Sequence, residues 1–241
     1  MIHIKKNKVP NLKKVKFNCD CELNSKLNDY DLTKMLNKSH FLAYIGKGGS
    51  GKTSLMVSFL KSPEAFKNIF EDIFIFIPPT SRASIENSFF EKNLPEENIY
   101  DELTLENLEE VKQKIEENAD NGYKSLIIID DLQKDLKNND IRKLVLHLNN
   151  NKRHLKLSMW VLLQNYTKLD KQVRMNLTDI ITFKVSKPEI KNIYEEHVEL
   201  DPDMFTNVQK YLFKNPHDFF YLNTNSQRFF SNWNEICINE E

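Results

Sequence analysis

Apolar residues along the chain gather into short runs of strand length, with helically spaced segments between them. The runs are Phe41–Ile45 and residues 73–77, 126–129, 159–163 and 180–185. Each is almost continuously apolar rather than alternating, as expected of parallel strands covered on both faces. Lys52–Lys61 follows the first run and carries Leu55, Met56 and Phe59. Residues 105–117 put Leu108, Val111 and Ile115 on one helical face; residues 141–149 do the same with Ile141, Leu144, Val145 and Leu148. Strand alternating with helix predicts an α/β domain built on a doubly wound, mainly parallel sheet. Further on, residues 188–198 and 202–213 read as helices that open on proline. Phe219–Asn223 and Arg228–Ser231 flank Thr224-Asn225-Ser226 and read as a C-terminal β-hairpin. No linker rich in Gly, Ser or Pro interrupts this order. The expected division is an N-terminal basic arm, residues 1–39, and one domain, residues 40–241.

Composition narrows the classes. With 241 residues, 40% of them hydrophobic, the chain can bury one sizeable core. The formal net charge is −1, so global charge selects no partner, and a nucleic-acid surface would need local segregation. Segregation is present: Lys152, Arg153, His154, Lys156, Lys168, Lys171 and Arg174 are interrupted only by Asp170, while residues 91–120 collect acids. Lys5, Lys6, Lys8, Lys13, Lys14 and Lys16 precede the first acid, Asp20, and read as a solvated arm. Cys19, Cys21 and Cys237 read as reduced thiols; Cys19 and Cys21 lack the second Cys/His pair that a zinc site requires. No apolar run approaches the ~18 residues of a membrane span, and the N-terminus lacks a signal peptide's apolar core. The expectation is a soluble intracellular protein. The frequent Phe and Tyr fall at core spacing and read as packing; His147 and His154 read as surface or packing residues.

The sharpest signal is Gly46-Lys47-Gly48-Gly49-Ser50-Gly51-Lys52-Thr53, which fits G-x-x-x-x-G-K-[ST] and takes four of the five glycines in the chain. An apolar strand precedes it and a helix follows, beginning Lys52-Thr53-Ser54. Glycines allow positive φ and bring backbone N–H groups onto phosphate oxygens, and the helix N-terminus adds to the attraction. Lys52 is expected to reach the β- and γ-phosphates, and the Thr53 hydroxyl to bind Mg²⁺. The implied ligands are ATP and Mg²⁺.

Residues 126–129 end in Asp130-Asp131. After a phosphate loop, the first acid is expected to order the Mg²⁺ and the second to take a proton from the attacking water. A turn residue is the plainer reading of Asp131. Residues 159–163 end in Gln164, a polar side chain expected to face the ligand crevice near the γ-phosphate.

These features together resemble the genome-packaging ATPases of nucleocytoplasmic large DNA viruses, virophages and poxviruses, a branch of the FtsK–HerA superfamily. The resemblance runs over roughly residues 40–235. It rests on the loop at 46–53, the strand Phe74-Ile75-Phe76-Ile77-Pro78, residues 126–131, Asn151-Lys152-Arg153-His154, residues 158–164 and Lys171-Gln172-Val173-Arg174. Phe183-Lys184 and the closing hairpin complete it. It implies an additional-strand P-loop core acting as a homo-oligomeric ring that pumps double-stranded DNA into a capsid, in the host-cell cytoplasm, with a capsid or vertex protein as a further partner. It implies γ-phosphate sensing by Gln164 and an arginine finger acting between subunits, with Arg153 and Arg174 at the matching positions. Asp131 departs from the Glu that most of the wider superfamily carries there. Lys47 also lets the loop read as the form used by partition-type dimeric ATPases. That class, a nucleotide-switched DNA-binding module, is one rival; a nucleoside or nucleotide kinase is the other.

Overall fold

The computed structural model describes residues 2–5, 36, 39–83 and 89–238. Among these residues ten strands form one sheet. They are β1 (Ile2–Lys5), β2 (Phe41–Ile45), β3 (Asp72–Phe76), β4 (Ile99–Tyr100), β5 (Ser125–Asp130), β6 (Leu157–Leu163), β7 (Asp179–Phe183), β8 (Phe219–Asn223), β9 (Arg228–Ser231) and β10 (Asn234–Ile238). Their order is β1-β10-β9-β8-β7-β2-β6-β5-β3-β4. From β7 to β4 every pairing is parallel; from β7 to β1 every pairing is antiparallel. The mainly parallel α/β sheet is therefore the one expected, and the C-terminal hairpin extends it instead of standing apart. Strand β6 lies between β2 and β5, so an additional strand separates the loop-bearing strand from the acid-bearing one.

The helices are α1 (Lys52–Lys61), α2 (Pro79–Ala83), α3 (Phe89–Asn93), α4 (Leu105–Asp120), α5 (Asn139–Asn151), α6 (Lys171–Arg174), α7 (Lys187–His197) and α8 (Pro202–Gln209). Thr104 caps α4 by accepting from Asn107 N, and Asn138 caps α5 by accepting from Asp140 N and Ile141 N. Alternation along β2 sets the two cores. Phe41, Ala43 and Ile45 join one apolar cluster with α4, α5, α7 and α8; Leu42 and Tyr44 join the other with α1 and Trp160. Burial on both faces explains why these strands read as unbroken apolar runs.

Two expectations change. The N-terminal segment is not wholly a solvated arm, because Ile2–Lys5 pairs antiparallel with β10 at the sheet edge. The helix expected over 202–213 ends at Gln209. Leu212 and Phe213 continue the helical spacing, but Phe213 adopts φ 55°, which a continuing helix excludes. Cys19, Cys21 and the lysines between 6 and 16 lie outside the described residues. Among the described residues no helix is long and apolar enough to cross a membrane.

Candidate active site

The carboxyl ends of β2, β5 and β6 meet at one edge of the parallel sheet, where α/β folds place ligands. After β2 the chain turns through the glycine-rich loop into α1. Gly49 has φ 72° and Gly51 φ 104°, conformations that L side chains rarely adopt. A Cβ at Gly46 would stand 2.5 Å from Ser50 Oγ, whereas one at Gly48 or Gly49 would meet nothing within 4 Å. The loop is thus closed against itself at its base and open at its crown. Lys47, Gly48 and Gly49 are exposed there, and no side chain caps the first turn of α1, which holds Thr53 and Ser54. Lys52 Nζ donates to Gly46 O at 2.7 Å and Lys47 O at 3.2 Å, folded into the concavity of the loop. Burial lowers its pKa, while Asp130 and Asp131 hold it up.

Asp130 ends β5 and is buried. Burial pushes its pKa up to about 7, with Lys52 pulling it down and Asp131 raising it further. Asp131 follows at φ 57° and donates its N–H to Leu162 O of β6. Its carboxylate accepts two side-chain amides, Gln164 Nε2 on Oδ2 at 2.7 Å and Gln133 Nε2 on Oδ1 at 3.2 Å. The loop, both acids and Gln164 are therefore brought together as the sequence led us to expect; Gln133 is an addition.

Magnesium fits this arrangement. Asp130 is a carboxylate whose burial is only partly offset by Lys52, and a divalent cation would restore its anionic form. Among the described residues no three His, Cys, Asp or Glu side chains gather into a metal cage. Mg²⁺ on a nucleotide needs no such cage, since one carboxylate, one hydroxyl and phosphate oxygens suffice. Thr53 and Asp130 are the residues that would hold it.

The family described as Poxvirus A32 protein matches residues 27–204, well over half of the sequence. The chain belongs to that family. Among solved structures, the genome packaging NTPase B204 of Sulfolobus turreted icosahedral virus 2 bound to AMP is similar over 82% of this chain and 98% of its own, with a TM-score of 0.59 and 18% identity. The DNA-packaging ATPase B204 of Sulfolobus Turreted Icosahedral Virus gives a TM-score of 0.60 at 18% identity, covering 84% of this chain and 98% of its own. ATPases 2 and 3 of EssC from Geobacillus thermodenitrificans give 0.51 at 12% identity, covering 82% of this chain and 39% of theirs. Comparison with curated proteins by sequence gave no match. At these identities the structures establish the fold, a P-loop ATPase fold; the partition-type and kinase readings gain nothing from them.

Neither of the two arginines singled out in this A32-family chain makes a hydrogen bond to the loop among the described residues. Arg174, at the end of α6, is committed internally. Its Nε and Nη2 donate to the two oxygens of Glu196, its Nη1 donates to Leu169 O at 2.7 Å, and its guanidinium lies 4.9 Å from the Tyr166 ring centroid. This geometry speaks against a finger at Arg174, because the fork that would clasp a phosphate already clasps a carboxylate. Arg153 is exposed and precedes β6, at the end of the sheet opposite the loop. It lines a polar groove of about 490 Å³ with Lys152, Asn176, Glu195 and Glu199.

A second set of residues gave no sequence signal. His217 Nδ1 donates to Ser50 O at 3.0 Å, bracing the phosphate loop from a segment 167 positions away. His217 and Phe213 both take left-handed φ, 66° and 55°. Asp218 fastens the segment between them by accepting from Asn215 N and Asn232 Nδ2. Between this segment and the loop lies a cavity of about 370 Å³, lined by Ser50, Phe183, Lys184, Phe213, Pro216 and His217. Strained backbone held by a side-chain network is typical of ligand clamps.

Proposed function

We propose that this A32-family chain hydrolyses ATP with Mg²⁺ and couples the cycle to translocation of double-stranded viral DNA into a capsid during virion assembly in the host-cell cytoplasm. The observation that carries the enzymatic part is the convergence of Lys52, Asp130, Asp131 and Gln164 on one sheet edge beside a loop open at its crown. Backbone N–H groups of residues 47–53 hold the phosphates. The Lys52 ammonium stabilises charge on the transferring phosphoryl group. The Asp131 carboxylate accepts a proton from the attacking water, and Gln164 contacts the γ-phosphate. Mg²⁺, when bound, supplies further neutralisation of phosphate charge. The cavity between the loop and residues 213–218 receives the nucleobase against Phe213 and Pro216.

The coupling to DNA rests on family membership and on the B204 proteins, whose descriptions name genome or DNA packaging. A ring of identical subunits is the assembly that such a motor requires, and Arg153 is the arginine left free to act between subunits. The test is phosphate release from Mg-ATP with and without long double-stranded DNA. Wild-type protein is expected to release phosphate faster with DNA, and Lys52→Ala to retain under roughly a tenth of that turnover, a loss of more than about 1.4 kcal/mol of transition-state stabilisation. Wild-type protein that releases no phosphate would overturn the enzymatic reading. Turnover indifferent to DNA would overturn the coupling.

A further inference from the structure

The Asp131 carboxylate is unusually constrained for a group that must take a proton from water. Its backbone is set at φ 57° and tied to Leu162 O, so only side-chain torsions decide where the carboxylate lies. Those torsions are fixed by two amides from opposite sides in sequence, Gln133 from the turn after β5 and Gln164 from the end of β6. Each carboxylate oxygen thus has a donor before any nucleotide arrives. Gln133 is also incompletely satisfied: its Oε1 is buried and has no hydrogen-bond partner among the described residues.

We propose that Gln164 and Gln133 together form a latch on Asp131, and that the γ-phosphate of a bound nucleoside triphosphate opens it by taking the Gln164 amide. Gln164 is the half that responds. A γ-phosphate oxygen carries more charge than a carboxylate oxygen, and the amide follows the stronger acceptor. Gln133 is the positioning half. It holds Oδ1 at 3.2 Å and touches no nucleotide in this reading, acting only through Asp131. With the latch closed the base is held away from productive use; with the latch open the carboxylate is released. The chemistry is unchanged from the proposed reaction: the water proton goes to Asp131, and no further reactant enters. What is added is a reason for the base to stay idle without a triphosphate.

Without Gln133 the carboxylate is free to turn away from Gln164, so the γ-phosphate no longer competes with an intact clamp, and by linkage triphosphate gains over diphosphate. The variant that tests this is Gln133→Met, which keeps the volume and removes the amide. The affinity of a β,γ-methylene ATP analogue relative to ADP is expected to rise roughly three- to tenfold, a discounted share of one hydrogen bond to a charged group because the contact is long. DNA-free phosphate release is expected to rise by a similar factor. A ratio that is unchanged or lower would overturn the latch, since a merely structural Gln133 would weaken both nucleotides alike. Gln133→Asn, whose shorter amide cannot span the gap, is expected to move the ratio in the same direction. If neither variant binds ADP as wild type does, Gln133 is a structural residue and the latch is equally overturned. The inference rests on the ATP-hydrolysis reading, yet fails separately from it. Absence of phosphate release by wild type sinks that reading, whereas the affinity ratio judges the latch alone.

Discussion

At the scale of single residues, Arg174 separates two jobs that sequence position alone cannot. It follows Gln164 by ten positions, in a loop leaving the carboxyl end of a central strand, which suits a residue that reaches a neighbour's phosphate. In the fold it is an internal strut. Glu196 takes two of its donors, the Leu169 carbonyl takes another, and the Tyr166 ring lies against its face. Tyr166 in turn donates to Glu196, and burial together with that carboxylate keeps the phenol neutral. For Glu196, burial alone would raise the pKa; the bonds from Arg174 and Tyr166 overcome it and hold the carboxyl below its usual range. Breaking such a pair from one side leaves an uncompensated charge. Arg174→Ala is therefore expected to cost about 2–4 kcal/mol, discounted from the fully buried case because both side chains keep slight exposure. Arg174→Lys is expected to lose much of the same stability, since an ammonium cannot reproduce the fork. Arg153→Ala, at an exposed position, is expected to stay within about 0.5 kcal/mol of wild type. Urea denaturation of the three variants checks this, and an Arg174→Ala protein as stable as wild type would return Arg174 to the list of free guanidinium groups.

At the scale of elements, the seam between the parallel and antiparallel halves of the sheet holds a buried carboxylate that the proposed chemistry does not use. Asp179 opens β7 and pairs in register with Leu42 of β2 and Asn223 of β8. It accepts from Thr178 Oγ1, Tyr221 Oη and Asn223 Nδ2, yet burial outweighs these bonds and pushes its pKa up to about 6. The folded-state value lies above the unfolded one of about 3.9, so the protonated fold binds more tightly to its proton than the unfolded chain does. The contribution of Asp179 to stability is therefore fully present below about pH 4 and is lost as pH rises through about 6. A two-unit shift corresponds to roughly 3 kcal/mol at most. In Asp179→Asn that slope is absent. The stability difference between wild type and variant is expected to move by about 2–3 kcal/mol in the variant's favour between pH 4 and pH 7. Parallel urea melts at the two pH values measure it, and a difference that does not change with pH would refute the assignment.

The same scale shows what a sequence can and cannot convey. β2, β5, β6 and β7 are covered on both faces, so their burial is written as unbroken apolar runs. β4 has two residues and β10 reads Asn-Glu-Ile-Cys-Ile; lying near the sheet edges, neither needs such a run. The loop at 46–53, Asp130-Asp131 and Gln164 were legible because each is a contiguous feature at a strand end. His217 was not, because its contact with the loop spans 167 positions, and Gln133 was not, because it sits in the turn after the strand, where an amide two residues beyond the acid carries no pattern of its own. The pairing of Arg174 was hidden in the same way as that of His217, since its partner, Glu196, lies 22 positions away on α7.

At the scale of the whole molecule, the sheet gives Arg153 a place from which it cannot serve its own subunit. β6 begins after Arg153 and ends before Gln164, so the arginine and the γ-phosphate contact proposed for Gln164 lie at opposite ends of the same strand. Seven strand residues at about 3.3 Å each separate the two ends by roughly 20 Å, far beyond the reach of one side chain. If Arg153 stabilises transition-state charge, it must do so on a neighbour's nucleotide, and the proposed ring supplies that neighbour. Arginine fingers of this kind contribute on the order of 10³–10⁵ in turnover. Arg153→Ala is thus expected to fold normally, bind nucleotide and hydrolyse it at a small fraction of the wild-type rate. Lys52→Ala carries the reciprocal defect, an intact Arg153 with an inactive loop. Subunits of the two kinds, each inactive alone, are expected to regain partial phosphate release when mixed, because some interfaces pair a working loop with a working arginine. Activity should peak at intermediate mixing ratios and vanish at either extreme. A mixture as inactive as its parts, with mixed assembly confirmed by differently tagged subunits, would exclude a trans role for Arg153. The same mixture made with Arg174→Ala is expected to show no such peak, because an internal strut cannot be supplied by a neighbour.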